Sequence, residues 1–249
     1  AIAVSTISAS ASAVQYDLAN GDVTIDQDEH KGAYSYQGED KENNRTYVNE
    51  DEKDDGKIII KQNDKETATS NTVTVQEDVK KTNKDDGSEG RDVDIVIDGV
   101  KADTSETGKS TVTVGEGADV DLTVKDSTLT TGGNGIDIGK DLDRNDENKD
   151  TKVDLTLEDT TINQTNKNSA GLDVRQGSDV DLTLKGDNTI DGSQATGDKN
   201  VSDNTNVEGI RVGGEVASDS SDAEKDAHLT IKGDKEETSD TTEETTGDA

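Results

Sequence analysis

Short apolar-alternating runs of similar length recur along this chain between turn signals, and that recurrence limits its folds more than any other property. Residues 171–192 show the unit: Leu172 and Val174, then Val180, Leu182 and Leu184, then Ile190, each run bounded by Gly, Asp, Asn or Ser. Strict alternation of this kind marks half-buried strands. The middle run has counterparts at 92–99, 119–126, 152–159 and 227–234, centred on Ile95, Leu122, Leu155, Leu182 and Leu229 at intervals of 27, 33, 27 and 47 residues. The run before it recurs at 111–114, 135–138, 171–174 and 209–212. Length varies mainly in connections such as 139–151 and 213–226, as in stacked repeats with loops inserted on one edge. The pattern predicts a β-solenoid in which Ile95, Leu122, Leu155, Leu182 and Leu229 form one inward column, with Asp and Thr neighbours outward.

Composition alone points elsewhere. A formal charge of -32, 26% hydrophobic residues and a mean hydropathy of -0.94 describe a chain with little apolar surface to offset ordering entropy. The Val, Ile and Leu residues nevertheless fall in register, and a narrow stack needs only a thin column of them. A globular core of this length would draw on Phe, Trp, Met and Pro, of which there are none. The absence of Cys excludes disulfides and thiolate metal sites. Strong acidity argues against nucleic acid and anionic membrane as partners, both being polyanions. No apolar run approaches the roughly 20 residues of a spanning helix, so membrane insertion is not expected.

Three segments follow in order. Residues 1–13 carry no charge and end in Ala11-Ser12-Ala13, which suits a signal remnant or a donor strand built on Ile2, Val4 and Ile7. Residues 14–234 are read as the solenoid, irregular over 29–57 and most regular from Asp92 to Asp234. Residues 235–249 have no apolar periodicity and read as an acidic tail or linker.

The runs at 16–25 (Tyr-Asp-Leu-Ala-Asn-Gly-Asp-Val-Thr-Ile) and 179–190 (Asp-Val-Asp-Leu-Thr-Leu-Lys-Gly-Asp-Asn-Thr-Ile), with Gly-Ile-Arg-Val at 209–212, carry a resemblance. They resemble bacterial secreted right-handed parallel β-helix proteins, including clostridial carbohydrate-binding β-helices related in shape to pectate lyases. The resemblance covers about Tyr16 to Asp234. It implies a right-handed parallel β-helix in a secreted, extracellular, cell-surface setting, with polysaccharide or calcium binding in some members. The chain departs from these proteins in its acidity and its shortage of aromatics.

Candidate chemistry is sparse. His30 falls in a charged stretch and His228 at an outward strand position, with no triad partners indicated. Arg175 and Arg211 are expected at outward strand positions that neighbouring coils bring close. Asp141, Asp143, Asn145 and Glu147 offer hard oxygen ligands at alternate positions, as the start of a Ca2+ loop does. The match is partial, because Asp146 stands where Gly is required and Lys152 where a bidentate Glu belongs. Thr72, Thr74, Thr111 and Thr113 suggest an outward hydroxyl array, broken in later coils by Asp137, Asp173 and Arg211. Thr123, Thr156, Thr183 and Thr230 suggest a second ladder, beside stacked Asp121, Asp154 and Asp181 that divalent cations could bridge.

The expected function is a non-enzymatic extracellular structural or adhesive solenoid, associating head to tail through residues 1–13. The alternative is a polysaccharide-binding module, calcium-assisted, using Tyr16, Tyr34, Tyr36 and Tyr47 as platforms.

Overall fold

Alternation of apolar and polar residues becomes strand throughout the computed structural model, which describes residues 14–27, 45–48, 57–79, 93–142, 150–193, 208–213 and 226–234. The strands form three sheets. In the first, β1 (Val14–Asp17), β4 (Ile58–Lys61), β6 (Asp94–Asp98), β9 (Asp119–Lys125), β12 (Thr151–Glu158), β15 (Ser178–Lys185) and β18 (His228–Gly233) lie side by side in that order. The second holds β7 (Lys101–Asp103), β10 (Thr128–Thr131), β13 (Thr161–Gln164) and β16 (Thr189–Asp191). The third runs β3 (Arg45–Val48), β2 (Val23–Gln27), β5 (Val73–Val75), β8 (Val112–Gly115), β11 (Ile136–Lys140), β14 (Ala170–Val174) and β17 (Glu208–Val212). Every pairing is parallel. From β6 onward the chain visits first, second and third sheets in turn and then returns to the first one level higher.

Register stacks like on like. In the first sheet Ile58, Ile95, Leu122, Leu155 and Leu182 are consecutive partners, all at most 5% exposed. The last member departs from expectation: Leu182 pairs with Ile231, and Leu229 pairs with Val180. The third sheet contributes Val23, Val73, Val112, Ile136 and Leu172, and beside them Ile25, Val75, Val114, Ile138 and Val174. The second sheet adds Ala102, Leu129, Ile162 and Ile190. Together these columns make one continuous core, narrow enough to need no aromatic other than buried Tyr16 among the described residues.

Corners repeat as strictly as strands. Where the circuits that start at β6, β9, β12 and β15 leave the first sheet, one residue takes a left-handed conformation: Gly99 at φ 63°, Asp126 at 48°, Asp159 at 47° and Gly186 at 63°. Gly adopts this region freely, and Asp tolerates it better than most residues. The following turns carry buried or half-buried Ser127, Thr160 and Asn188, which satisfy corner carbonyls. Ser127 Oγ donates to the Lys125 carbonyl at 2.6 Å, Thr160 Oγ1 to that of Glu158 at 2.9 Å, and Asn188 Nδ2 to that of Lys185 at 2.8 Å. From β5 onward most long connections, those joining β5 to β6, β11 to β12 and β17 to β18, run from the third sheet to the first, while the one from β16 to β17 joins second to third; before them, the connection from β2 to β3 stays within the third sheet. From β5 onward insertion is therefore concentrated at one corner, as the repeat lengths predict.

Candidate functional site

Two outward faces hold the organised polar groups, and they differ in kind. On the first sheet, alternate residues face out and form columns. Asp94, Asp121, Asp154 and Asp181 are consecutive partners, followed by Thr230. Neighbouring strands lie about 4.8 Å apart, where two like charges repel by roughly 1 kcal/mol even at the dielectric of water. Lysines offset this at both ends: Lys57 Nζ lies 3.4 Å from Asp94, and Lys232 Nζ 3.0 Å from Asp181. To one side Asp119, Lys152, Asp179 and His228 succeed one another. To the other, Asp17, Lys61, Asp98, Lys125, Glu158 and Lys185 alternate in sign at every step. Lys125 Nζ is 3.1 Å from Asp98, whose hydrogen bond raises the lysine pKa. A shallow depression of about 340 Å³ opens over Lys152, Asp154, Asp181 and Thr230.

The Thr column lies between these charges as Thr123, Thr156 and Thr183, and it ends on Lys232. Thr230 belongs instead to the Asp column, displaced by the same two residues as Leu229. One even-numbered shift accounts for both corrections.

On the third sheet the outward column reads Thr24, Thr74, Thr113, Asp137, Asp173 and Arg211. Here the acids are covered: the side chains of Asp137 and Asp173 are 1% and 2% exposed. Arg175 grips Asp137 through Nε at 2.6 Å and Nη2 at 3.0 Å. Arg211 grips Asp173 through Nε at 2.9 Å and Nη2 at 2.5 Å. Each arginine thus reaches down one level with a two-pronged, charge-assisted contact. These contacts raise both arginine pKa values. Asn134 Nδ2 donates to Asp173 at 2.8 Å, its Oδ1 accepts from Ala170 N at 2.9 Å, and Ser110 Oγ donates to Asp137 at 3.3 Å. The network ties the levels of β8, β11, β14 and β17 together.

Sequence reasoning expected Arg175 and Arg211 at neighbouring outward positions. Arg211 sits there in β17, whereas Arg175 directly follows β14. The covering of Asp137 and Asp173 escaped that reading, although Asp and Arg at one position of successive repeats was the available signal. Of the proposed Thr array only Thr74 and Thr113 lie within the paired strands, where Thr113 is itself buried at 7%; Thr72 and Thr111 directly precede β5 and β8 and are buried at 9% and 1%. Tyr16 is 1% exposed and lies in the core, which removes it as a sugar platform. Tyr34 and Tyr36 lie outside the described residues, and Tyr47 is in β3.

Asp141 is exposed just beyond β11, while Asp143, Asn145 and Glu147 lie outside the described residues. Among the described residues no three of His, Asp and Glu are grouped as a metal site. His228 is exposed beside Asp179, and His30 is outside the described residues. No family model, curated protein or solved structure matches the chain.

Proposed function

We propose that the chain is a right-handed parallel β-helix acting as a non-enzymatic structural or adhesive component of a bacterial surface, secreted and displayed outside the cell. The observation that supports this most is the outward face of the first sheet. Charges and hydroxyls there stand in register over successive levels, making a broad repetitive surface above a shallow depression. Repetition suits stacking and multivalent contact better than chemistry on one small molecule, which calls for convergent groups in a concave pocket. The arginine-acid group on the third sheet supports the same reading. Its carboxylates are covered and held by two prongs each, so they are not presented as an open base or as cation ligands. Copies associate head to tail in this reading, and divalent cations, calcium among them, lower the repulsion along the Asp column.

Purified protein should give a β-type circular dichroism spectrum, and no retention on immobilised polysaccharide. A random-coil spectrum overturns the fold. Retention released by free polysaccharide replaces the structural role with the sugar-binding one. Calcium should raise the melting temperature beyond sodium at equal ionic strength, by binding linkage; an equal shift with sodium means screening without a site.

A further inference from the structure

The C-terminal end of the stack leaves core positions uncovered. Ile210, Val212 and Ile231 are 38%, 44% and 51% exposed, yet they continue columns whose members one level below, Leu172, Val174 and Leu182, are at most 1% exposed. At this end the first sheet finishes in β18, a level at which the third sheet, finishing in β17, has no described strand. The opposite end is ragged in the complementary sense. There β3, although later in sequence, pairs beyond β2 in the third sheet, at a level where the first sheet, starting at β1, has no described strand. Both overhanging strands run parallel to their sheets.

We infer that these two ends interlock between copies of this chain: the β3 of a second copy lies on β17, its β1 lies on β18, and β18 with that β3 completes one shared level. The inference rests on the stacked β-helix reading and adds the contact by which copies join. Docking gives each overhanging strand a neighbour of the correct direction, so open edge amides and carbonyls find partners. It also covers Ile210, Val212 and Ile231 as their equivalents below are covered, which supplies the apolar part of the association. Residues 235–249 hold six side-chain carboxylates and no Val, Ile, Leu or aromatic residue, so their sequence offers little apolar surface for such cover.

Strand alternation permits only even shifts between β18 and the incoming β1. Continuing the register unshifted sets Asp17 of the second copy opposite Asp234. A shift of two residues sets it opposite Lys232, and Tyr16 opposite Ile231. Charge selects the shifted register. Such a contact is heterologous and does not close, so it builds a filament. Its axial repeat is about 34 Å, seven levels of ~4.8 Å. Because each copy carries -32, assembly strengthens as salt shortens the range of repulsion.

The full chain, followed by sedimentation velocity and electron microscopy at low and high salt, tests the inference. Expected are concentration-dependent oligomers favoured by salt, with that axial repeat. Val212→Asp with Ile231→Asp should abolish them while leaving the circular dichroism spectrum unchanged, both residues being exposed in the single copy. Lys232→Glu should weaken association by about tenfold, and deletion of residues 1–13 should leave it intact. A folded protein that stays monomeric at high salt overturns the interlock and the head-to-tail association with it but spares the β-helix and its surface role, whereas a random-coil spectrum overturns the fold as well. Persistence of oligomers in the double variant, or their loss on deleting 1–13, also overturns it; the second outcome assigns the contact to an inserted donor strand.

Discussion

The outward faces of the first and third sheets use the same residue types to opposite ends. On the first, carboxylates stand in the open, stacked on one another or alternating with lysine, and each contact is screened by water. On the third, two carboxylates are covered by arginines from the level above and tied to Asn134 and Ser110. An exposed ion pair contributes at most about 1 kcal/mol. A buried charge stripped of its partner costs about 3–5 kcal/mol. The third-sheet face is therefore where a single change should hurt, and the first-sheet face is where many changes are tolerated.

The largest expected effect is at Arg211 and Arg175. Replacing either with Ala should lower unfolding free energy by about 2–3 kcal/mol, at or below the lower end of that range because water reaches an acid once its arginine is gone. Chemical denaturation measures this, and a loss no larger than that of Lys125→Ala would erase the contrast between the faces. Arg211→Lys should recover only part of the loss, since an ammonium cannot reproduce the two-pronged contact.

A smaller effect of opposite sign is expected in the Asp column. Asp154→Lys, between Asp121 and Asp181, should stabilise the fold by about 0.5–1 kcal/mol by turning two repulsions into attractions. A destabilisation measured without divalent cations would show that the interactions Asp154 makes as a carboxylate outweigh the repulsion along the column. Smaller again is the response to alkali. The Lys125 pKa is raised by Asp98, so its contribution is complete below the ordinary lysine value and is lost as pH climbs through the raised one. Lys125→Gln should flatten that part of the stability profile, and an unchanged profile would mean that the pair contributes nothing measurable.

The columns were legible in the sequence because alternation states which residues share a face. What alternation cannot state is an even displacement, since a shift of two leaves every residue on its original face. That is why Leu229 and Thr230 were misplaced while Ile95, Leu122, Leu155 and Leu182 were not. Charge resolves the ambiguity after the fact. Aligning Leu229 with Leu182 would have set Lys232 against Lys185, whereas the observed register sets it against Thr183 and within 3.0 Å of Asp181. The arginine grips were illegible for another reason. They depend on side chains reaching between levels, and Arg175 acts from just past its strand, where periodicity carries no information.

Concentrating length variation at the corner from third sheet to first has a consequence for how such a chain can diversify. The strands and the left-handed corner at Gly99, Asp126, Asp159 and Gly186 fix the circumference of each circuit, so residues added there would break the registers on both sides. Residues added between β11 and β12, or between β17 and β18, enter after a third-sheet strand is complete and before the next first-sheet strand begins. That corner works as a row of sockets on a ruler graduated at ~4.8 Å. New sequence can be plugged in at chosen heights, and peptides grafted at neighbouring sockets would be presented at spacings set by the backbone.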